Sequence, residues 1–313
     1  MTKSTQPGRC TPGDLRWEFK SEDHSSGRGV HTFDIVKQPD GDGYFGYAGP
    51  LISGGRVELW ISSDLYEWRP HPERVVFQRP GARWPTVVRE GGSVFMIVRQ
   101  ATSPVDYVLD WVYHRSDETG IRIPRKLLRY VGKARLDIYE SKNGIKFEKV
   151  GSFCSPNATG REKHKNPFLF EHPDGGVGLV YFSRSDSLFQ IRYRHADTVR
   201  QLRVSSDTVL LSSDSLVAAP SIYYDEATGI YSLLAEEMDR EQNIWLTTMY
   251  TVDNLRDGAD PESRHVLFEN NVACPFPYWT NDDNLLFVSH CTTGLNRSVD
   301  ETAWQGLVYD VEK

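Results

Sequence analysis

Cysteine is scarce in this chain: Cys10, Cys154, Cys274 and Cys291 are the four in 313 residues, and none is spaced as CxxC. That spacing excludes a cysteine-based metal cluster and a dense disulfide framework. It leaves free buried thiols, or at most one Cys274–Cys291 contact. A membrane span is missing as well, since no stretch approaches the roughly 18 apolar residues one needs. Residues 1–14 are polar and lack the apolar centre of a secretory leader. The chain therefore reads as soluble and cytoplasmic, with no membrane partner. Positive charge is not in excess, because 36 Lys and Arg face 43 Asp and Glu for a formal charge of −7. That balance argues against nucleic acid as a partner and favours neutral, small-molecule or sugar ligands.

What the chain has in quantity is glycine, proline and aromatic residues, with 25 Gly, 17 Pro and 12% aromatics. This is the composition of many short strands joined by tight turns. The strands repeat. Units open at Phe33-Asp34-Ile35-Val36, Trp84-Pro85-Thr86-Val87-Val88, Asn166-Pro167-Phe168, Ala219-Pro220-Ser221 and Cys274-Pro275-Phe276. The last three recur about every fifty residues, a period that belongs to propeller blades and solenoids. The interval after Pro85 is longer because an insertion at about 101–134 falls within that unit.

Each unit continues with a turn such as Pro39-Asp40-Gly41-Asp42-Gly43, Glu90-Gly91-Gly92 or Pro173-Asp174-Gly175-Gly176. Such glycines are expected to supply the positive φ that a hairpin requires. An apolar second strand, a third strand and, in four units, a fourth follow. The fifth unit ends after its third strand, while Leu15-Arg16-Trp17-Glu18-Phe19 alternates like a strand and belongs to no unit. Pairing it with the last unit completes that blade and closes a ring. The expected fold is thus all-β: one domain over 1–313, a five-bladed β-propeller with four-stranded blades, closed by the N-terminal strand. Two β-sandwiches in tandem would not produce the repeat.

In such a ring the starts of the first strands and the ends of the second strands converge on a funnel at one end of the axis. The alignment places His31, Asp34, Trp84, Arg99, Asn166, Arg184, Glu236, Glu237 and His290 there. Carboxylates, arginines, a histidine and a tryptophan are what a sugar-processing site uses. Asp34 and Glu236 are the candidate catalytic pair. Asp34 sits in an apolar inner strand, where a charge needs a partner or a task; Glu236 shares Ala235-Glu236-Glu237-Met238-Asp239 with what could equally be an acidic loop. His31, Trp84, Arg99, Asn166, Arg184, Glu237 and His290 are candidate substrate binders. His290 is open to three roles: general acid, ligand of a channel metal ion, or a satisfied inner histidine. No other metal and no organic cofactor is expected. The insertion, with Trp111, Tyr113 and His114 and a basic stretch after them, reads either as a lid over the funnel or as an excursion of the surface.

The proline-containing first strands, the Gly-rich hairpins and Ser62-Ser63-Asp64-Leu65 leading to Trp68 resemble the five-bladed propellers of the family 43 glycoside hydrolases and their arabinanase and fructosidase-like relatives. That resemblance implies an Asp near the start of blade one as general base, an Asp before a proline in a middle blade, and a Glu beside a proline-containing strand in blade four as general acid. In this chain Asp34 stands for the first, although strict alignment puts Thr32 there. The second reads Asn166-Pro167 and the third Ala218-Ala219-Pro220. Three readings remain: a divergent glycosidase in which Glu236 or Glu237 replaces the acid, a propeller reused for cyclisation or rearrangement in secondary metabolism, and a non-catalytic carbohydrate-binding propeller.

Overall fold

The computed structural model describes residues 15–19, 30–50, 55–114, 124, 134–153, 163–184, 188–239, 241, 244–268, 272–279, 285–291 and 303–309. Among them the chain is a β-propeller of antiparallel sheets. Strands β1 (Leu15–Phe19), β18 (Val272–Trp279), β19 (Leu285–Cys291) and β20 (Ala303–Tyr309) form one sheet in the order β1-β20-β19-β18. Strands β2 (Val30–Lys37), β3 (Tyr44–Pro50), β4 (Arg56–Ser62) and β5 (Arg69–Gln78) form a second in sequence order. A third holds β14 (Val217–Asp225), β15 (Ile230–Asp239), β16 (Ile244–Val252) and β17 (His265–Phe268).

The remaining strands are β6 (Arg83–Glu90), β7 (Ser93–Ala101), β8 (Ala134–Ser141), β9 (Glu148–Phe153), β10 (Lys163–Glu171), β11 (Val177–Arg184), β12 (Phe189–Ala196) and β13 (Thr208–Ser213). They make one eight-stranded sheet, where the repeat predicts two separate ones. The cause is local. Within it β6 to β9 pair in turn, as do β10 to β13, and the two runs meet at a single parallel bridge between Lys163 and Ala134. Four sheets therefore stand where five are expected.

The first strands are neighbours in space: β2 packs on β6, β6 on β10, β10 on β14, β14 on β18 and β18 on β2. Between the sheets lie the apolar layers. Phe45, Tyr47, Val57 and Leu59 meet Val87, Met96 and Val98, and on the far side Val88, Phe95, Ile97 and Leu136 meet Leu169, Leu179 and Tyr181. Alternate side chains of β6, β7 and β8 thus serve alternate interfaces, the period-two pattern that sheet-on-sheet packing requires.

The turns show both uses of glycine. Gly175 and Gly176 take φ of +93° and +76°, and a Cβ on Gly176 would lie 2.4 Å from the Ala196 carbonyl oxygen. Gly41 and Gly43 do not take a positive φ, contrary to the expectation; Gly43 is required instead by a close approach, since a Cβ there would fall 2.9 Å from the Ser62 carbonyl oxygen. The loop after β4 is repeated after β8. Asp64 accepts from the amides of Tyr66 and Glu67, and Asn143 from those of Ile145 and Lys146. The next aromatics, Trp68 and Phe147, then close edge-on against Phe33 and Tyr47.

The insertion falls between β7 and β8, and its described part is mainly a helix, α1 (Pro104–His114), with Ser103 and Asp106 hydrogen-bonded at its start. No helix among the described residues is long and apolar enough to cross a membrane.

Candidate functional site

The same backbone device recurs at the start of successive first strands. Pairing with the second strand breaks between Arg83 and Thr86 in β6, between Lys165 and Phe168 in β10, and between Ala218 and Ser221 in β14. Each break holds an X-Pro pair, and X is left-handed: Trp84 at φ +51°, Asn166 at +47°, Ala219 at +46°. Proline lacks the N–H that a ladder needs and tolerates a bulge, and a bulge re-aims the neighbouring side chain. A left-handed L-residue costs free energy, and such strain gathers at functional sites. In β18 the pairing breaks in the same way around Cys274-Pro275, between Ala273 and Phe276. Pro85 can sit where it does because β3 has Gly49 opposite; a Cβ there would lie 2.5 Å from the proline ring.

Register places the candidate residues at this end. Arg99 pairs across from Arg83, Arg184 from Lys163, and Glu236 from Ala218, directly beside left-handed Ala219. His31 lies in β2 and His290 in β19 opposite Ala273, but the side chains of both fall outside the described residues, as do those of Cys274 and Cys291. Arg184 is exposed, its guanidinium 4.7 Å from the Phe189 ring centre.

Trp84 is a centre of positive charge. Arg83, Arg99 and the Lys165 ammonium lie 6.0, 5.9 and 5.6 Å from its ring centre, within cation–π range. Arg83 and Arg99 are only 2% and 1% exposed, and Arg99 donates to the Gly81 carbonyl. Lys165 and Asn166 are partly exposed. Neither Arg83 nor Lys165 stands out in the sequence, yet a signal exists: each is the residue just before the X-Pro pair. Thr32 is buried near Pro85, and its hydroxyl has no hydrogen-bond partner among the described residues.

The two candidate catalytic carboxylates differ in setting. Asp34 is 1% exposed and accepts three hydrogen bonds: one oxygen accepts from the Ile35 amide at 2.8 Å, the other from the Thr86 hydroxyl at 2.7 Å and the Val87 amide at 2.8 Å. Burial raises its pKa to about 7, and these three donors, which favour the ionised form, offset the effect only in part. Thr86 in turn accepts from the Leu169 amide at 2.8 Å, so the chain of bonds crosses β2, β6 and β10. Glu236 is 4% exposed.

Glu237 points to the other face of β15. It accepts from Thr248, from Tyr250 and from Arg264, the last at 3.0 Å. It helps to line a cavity of about 270 Å³ together with Ser213, Leu216, Met238 and Arg264. Register thus puts Trp84, Arg99, Asn166 and Glu236 at the corresponding ends of their strands, and Glu237 belongs to a separate hydrogen-bonded group. Among the described residues no set of three or more His, Cys, Asp or Glu could hold a metal ion.

Solved structures share this architecture. An exo-β-1,3-galactanase from Phanerochaete chrysosporium, determined with β-1,3-galactotriose, superposes with a TM-score of 0.64 at 12% identity. The match covers 90% of this chain and 61% of that one, so this chain spans about three fifths of the galactanase. The chain resembles the family 43 glycoside hydrolase propellers in fold. A family 43 β-1,3-galactosidase with galactodeoxynojirimycin gives 0.63 at 12% identity over 90% of both chains. The family 43 endo-arabinanase from Bacillus licheniformis gives 0.58 at 13% identity, over 89% of this chain and 94% of the other. No family model and no curated protein matches the sequence. At such identities the likeness establishes a glycoside-hydrolase-like propeller fold, and the chemistry has to be argued from the site itself.

Proposed function

We propose that this chain is a divergent glycoside hydrolase that takes a saccharide at the kinked end of its first strands and uses Glu236 as proton donor. The observation that carries this reading is the register of β14 and β15. Glu236 stands across from Ala218 and beside Ala219, so the second strand delivers a carboxyl group where the first offers only methyl groups. A carboxyl group can protonate a leaving oxygen and an alanine cannot. In this reading the eight-stranded sheet counts as two blades, and β1 completes the last of five blades in one closed domain over 1–313. Trp84, Arg99, Asn166, Arg184, His31 and His290 surround the sugar. Glu237, engaged by Arg264, Tyr250 and Thr248, holds β15 to β16.

Asp34 supports a second reading, a saccharide-binding propeller without hydrolysis. As general base it would have to receive its water at a carboxyl that is 1% exposed and already accepts from Thr86, Val87 and Ile35. Turnover of aryl arabinofuranosides, xylosides, galactosides and fructosides, set beside calorimetric binding of the free sugars, separates the two. A hydrolase turns over at least one of them, and Glu236→Gln lowers kcat about a hundredfold or more while leaving the fold intact. Binding without turnover across the panel favours the second reading. Full activity of Glu236→Gln removes that residue from the mechanism.

A further inference from the structure

The turn that joins β10 to β11 holds a titratable cluster that the candidate site does not use. His172 follows β10 directly, and its side chain is only 8% exposed. Centre to centre, its ring lies 4.3 Å from the His195 ring and 6.4 Å from the Tyr193 ring, both of β12, and 6.0 Å from the Tyr231 ring of β15. It thus fills the seam between the run β10 to β13 and the sheet β14 to β17. Both ring nitrogens are engaged. Nδ1 accepts from the Asp174 amide at 3.2 Å, within the turn, and Nε2 lies 3.3 Å from the Tyr231 hydroxyl oxygen. An amide N–H can only donate, so the proton of the neutral ring sits on Nε2 and points across the seam to Tyr231. His195 Nε2 stands 3.0 Å from the Gly175 carbonyl, which can only accept, so a proton sits there and ties the same turn to β12.

A second proton is poorly placed on His172. It goes to Nδ1, where it faces the N–H of Asp174 and ends that hydrogen bond. The charged ring then stacks on His195 with the Arg256 charge acting on it, and the one group in its favour is the Asp174 carboxylate, 3.9 Å from Nδ1 and 86% exposed. Burial holds the His172 pKa below the ordinary histidine value of 6.5; His195 and Arg256 add to that, and Asp174 opposes it. Burial pushes the Tyr193 and Tyr231 phenols up, so both stay uncharged, and Tyr224, 4.7 Å from the Tyr231 ring, completes the groups around the seam.

We propose that His172 is a proton-operated latch between the third and fourth units of the propeller: neutral, it ties the β10–β11 turn to Tyr231 of β15, and protonated at Nδ1 it releases the Asp174 amide and loosens both the turn and the seam. The latch stands independently of the saccharide reading. Because the opened ring takes up a proton that the closed one resists, the closed seam is fully stable above the ordinary histidine value and loses stability as pH falls through it.

The test has two readouts on the whole chain. In an NMR titration the His172 ring, assigned from its cross-peaks to the Tyr193 and Tyr231 rings, is expected to titrate below the ordinary histidine value. In hydrogen exchange read by mass spectrometry and corrected for the intrinsic effect of pH, segments 172–177 and 228–233 are expected to lose protection by about fivefold, the worth of roughly one hydrogen bond, between about pH 7.5 and about pH 5. The loss is read relative to the rest of the chain, which separates it from the effect of Asp34, whose sign is opposite. His172→Gln keeps an acceptor and a donor but gains no proton, and is expected to abolish the pH step; His195→Gln is expected to keep it. Equal protection at the two pH values, a step that survives in His172→Gln or vanishes in His195→Gln, or a His172 ring that titrates at or above the ordinary value overturns the latch. The parent chain alone supplies two of these outcomes, so the proposal is tested even where His172→Gln fails to fold.

Discussion

The kinked ends of β6 and β10 and the kinked end of β14 are built on one backbone plan and carry opposite chemistry. In β6 and β10 the left-handed residues are Trp84 and Asn166, each preceded by a cation. In β14 the left-handed residue is Ala219, preceded by Ala218, and the charge comes from the neighbouring strand as Glu236. The bulge and the proline set where a side chain is aimed, and the residue before the proline is free to vary. A shared fold therefore transmits the position of a site without its chemistry.

The sharpest way to break this comparison is at Glu236. If the β14 side carries the acid, Glu236→Gln removes about a hundredfold in turnover, measured on whichever glycoside the parent cleaves. The pH dependence of stability tests the role of Asp34 next. Its carboxyl has a pKa of 3.8 as an ordinary aspartate and about 7 in the folded chain, chiefly through burial. Below about pH 4 both folded and unfolded chains hold the proton. Between that point and 7 the unfolded chain releases it and the folded chain keeps it, so stability falls as pH rises through the window and levels off above it. Unfolding free energies from urea titration at pH 5 and pH 7.5 should differ by an amount on the order of a few kcal/mol, and Asp34→Asn should flatten the difference.

Thr86→Val takes one donor from Asp34 and leaves the Leu169 amide without its acceptor, at a cost of about 2 kcal/mol in urea unfolding. Thr86→Ser, which keeps the hydroxyl, should avoid most of that loss. The smallest effect concerns the strain itself. Ala219→Gly, at φ +46°, should be close to neutral, because glycine adopts that φ freely. Ala235→Gly, in the regular part of β15 and fully buried, should cost about 1 kcal/mol or more. Equal losses at the two positions would show that the left-handed turn is not strained.

The strand repeat is plainly written in the sequence, because prolines, Gly-rich turns and apolar runs are local signals. Pairing of Leu15–Phe19 with the last third strand could be read from the same pattern, and β1 does lie beside β20. Three things could not be read. The Lys163–Ala134 bridge that merges two runs into one sheet depends on how close two neighbouring sheets come, which no local pattern encodes. The cation cluster joins residues 83, 99 and 165, whose meeting at Trp84 follows from the stacking of β6 and β10. The division of labour between Glu236 and Glu237 follows from strand alternation, but Arg264 and Tyr250, which claim Glu237, come from elements further along the chain.

The hydrogen bonds from Asp34 to Thr86 and from Thr86 to Leu169 bear on how such a molecule can be rearranged. Propellers look modular, as though any blade could be copied, deleted or exchanged. Here three consecutive first strands contribute three different parts: an acceptor in β2, a hydroxyl that both gives and receives in β6, and a main-chain donor in β10. Exchanging the units that begin at β6 and β10 would set Phe168, the residue two places after the left-handed turn in β10, beside Asp34 in place of Thr86. A buried carboxyl group would lose its hydroxyl donor, and the third strand's amide would have no oxygen to receive it. The order of the blades is thus written into the polar interior of the ring as well as into the chain that joins them.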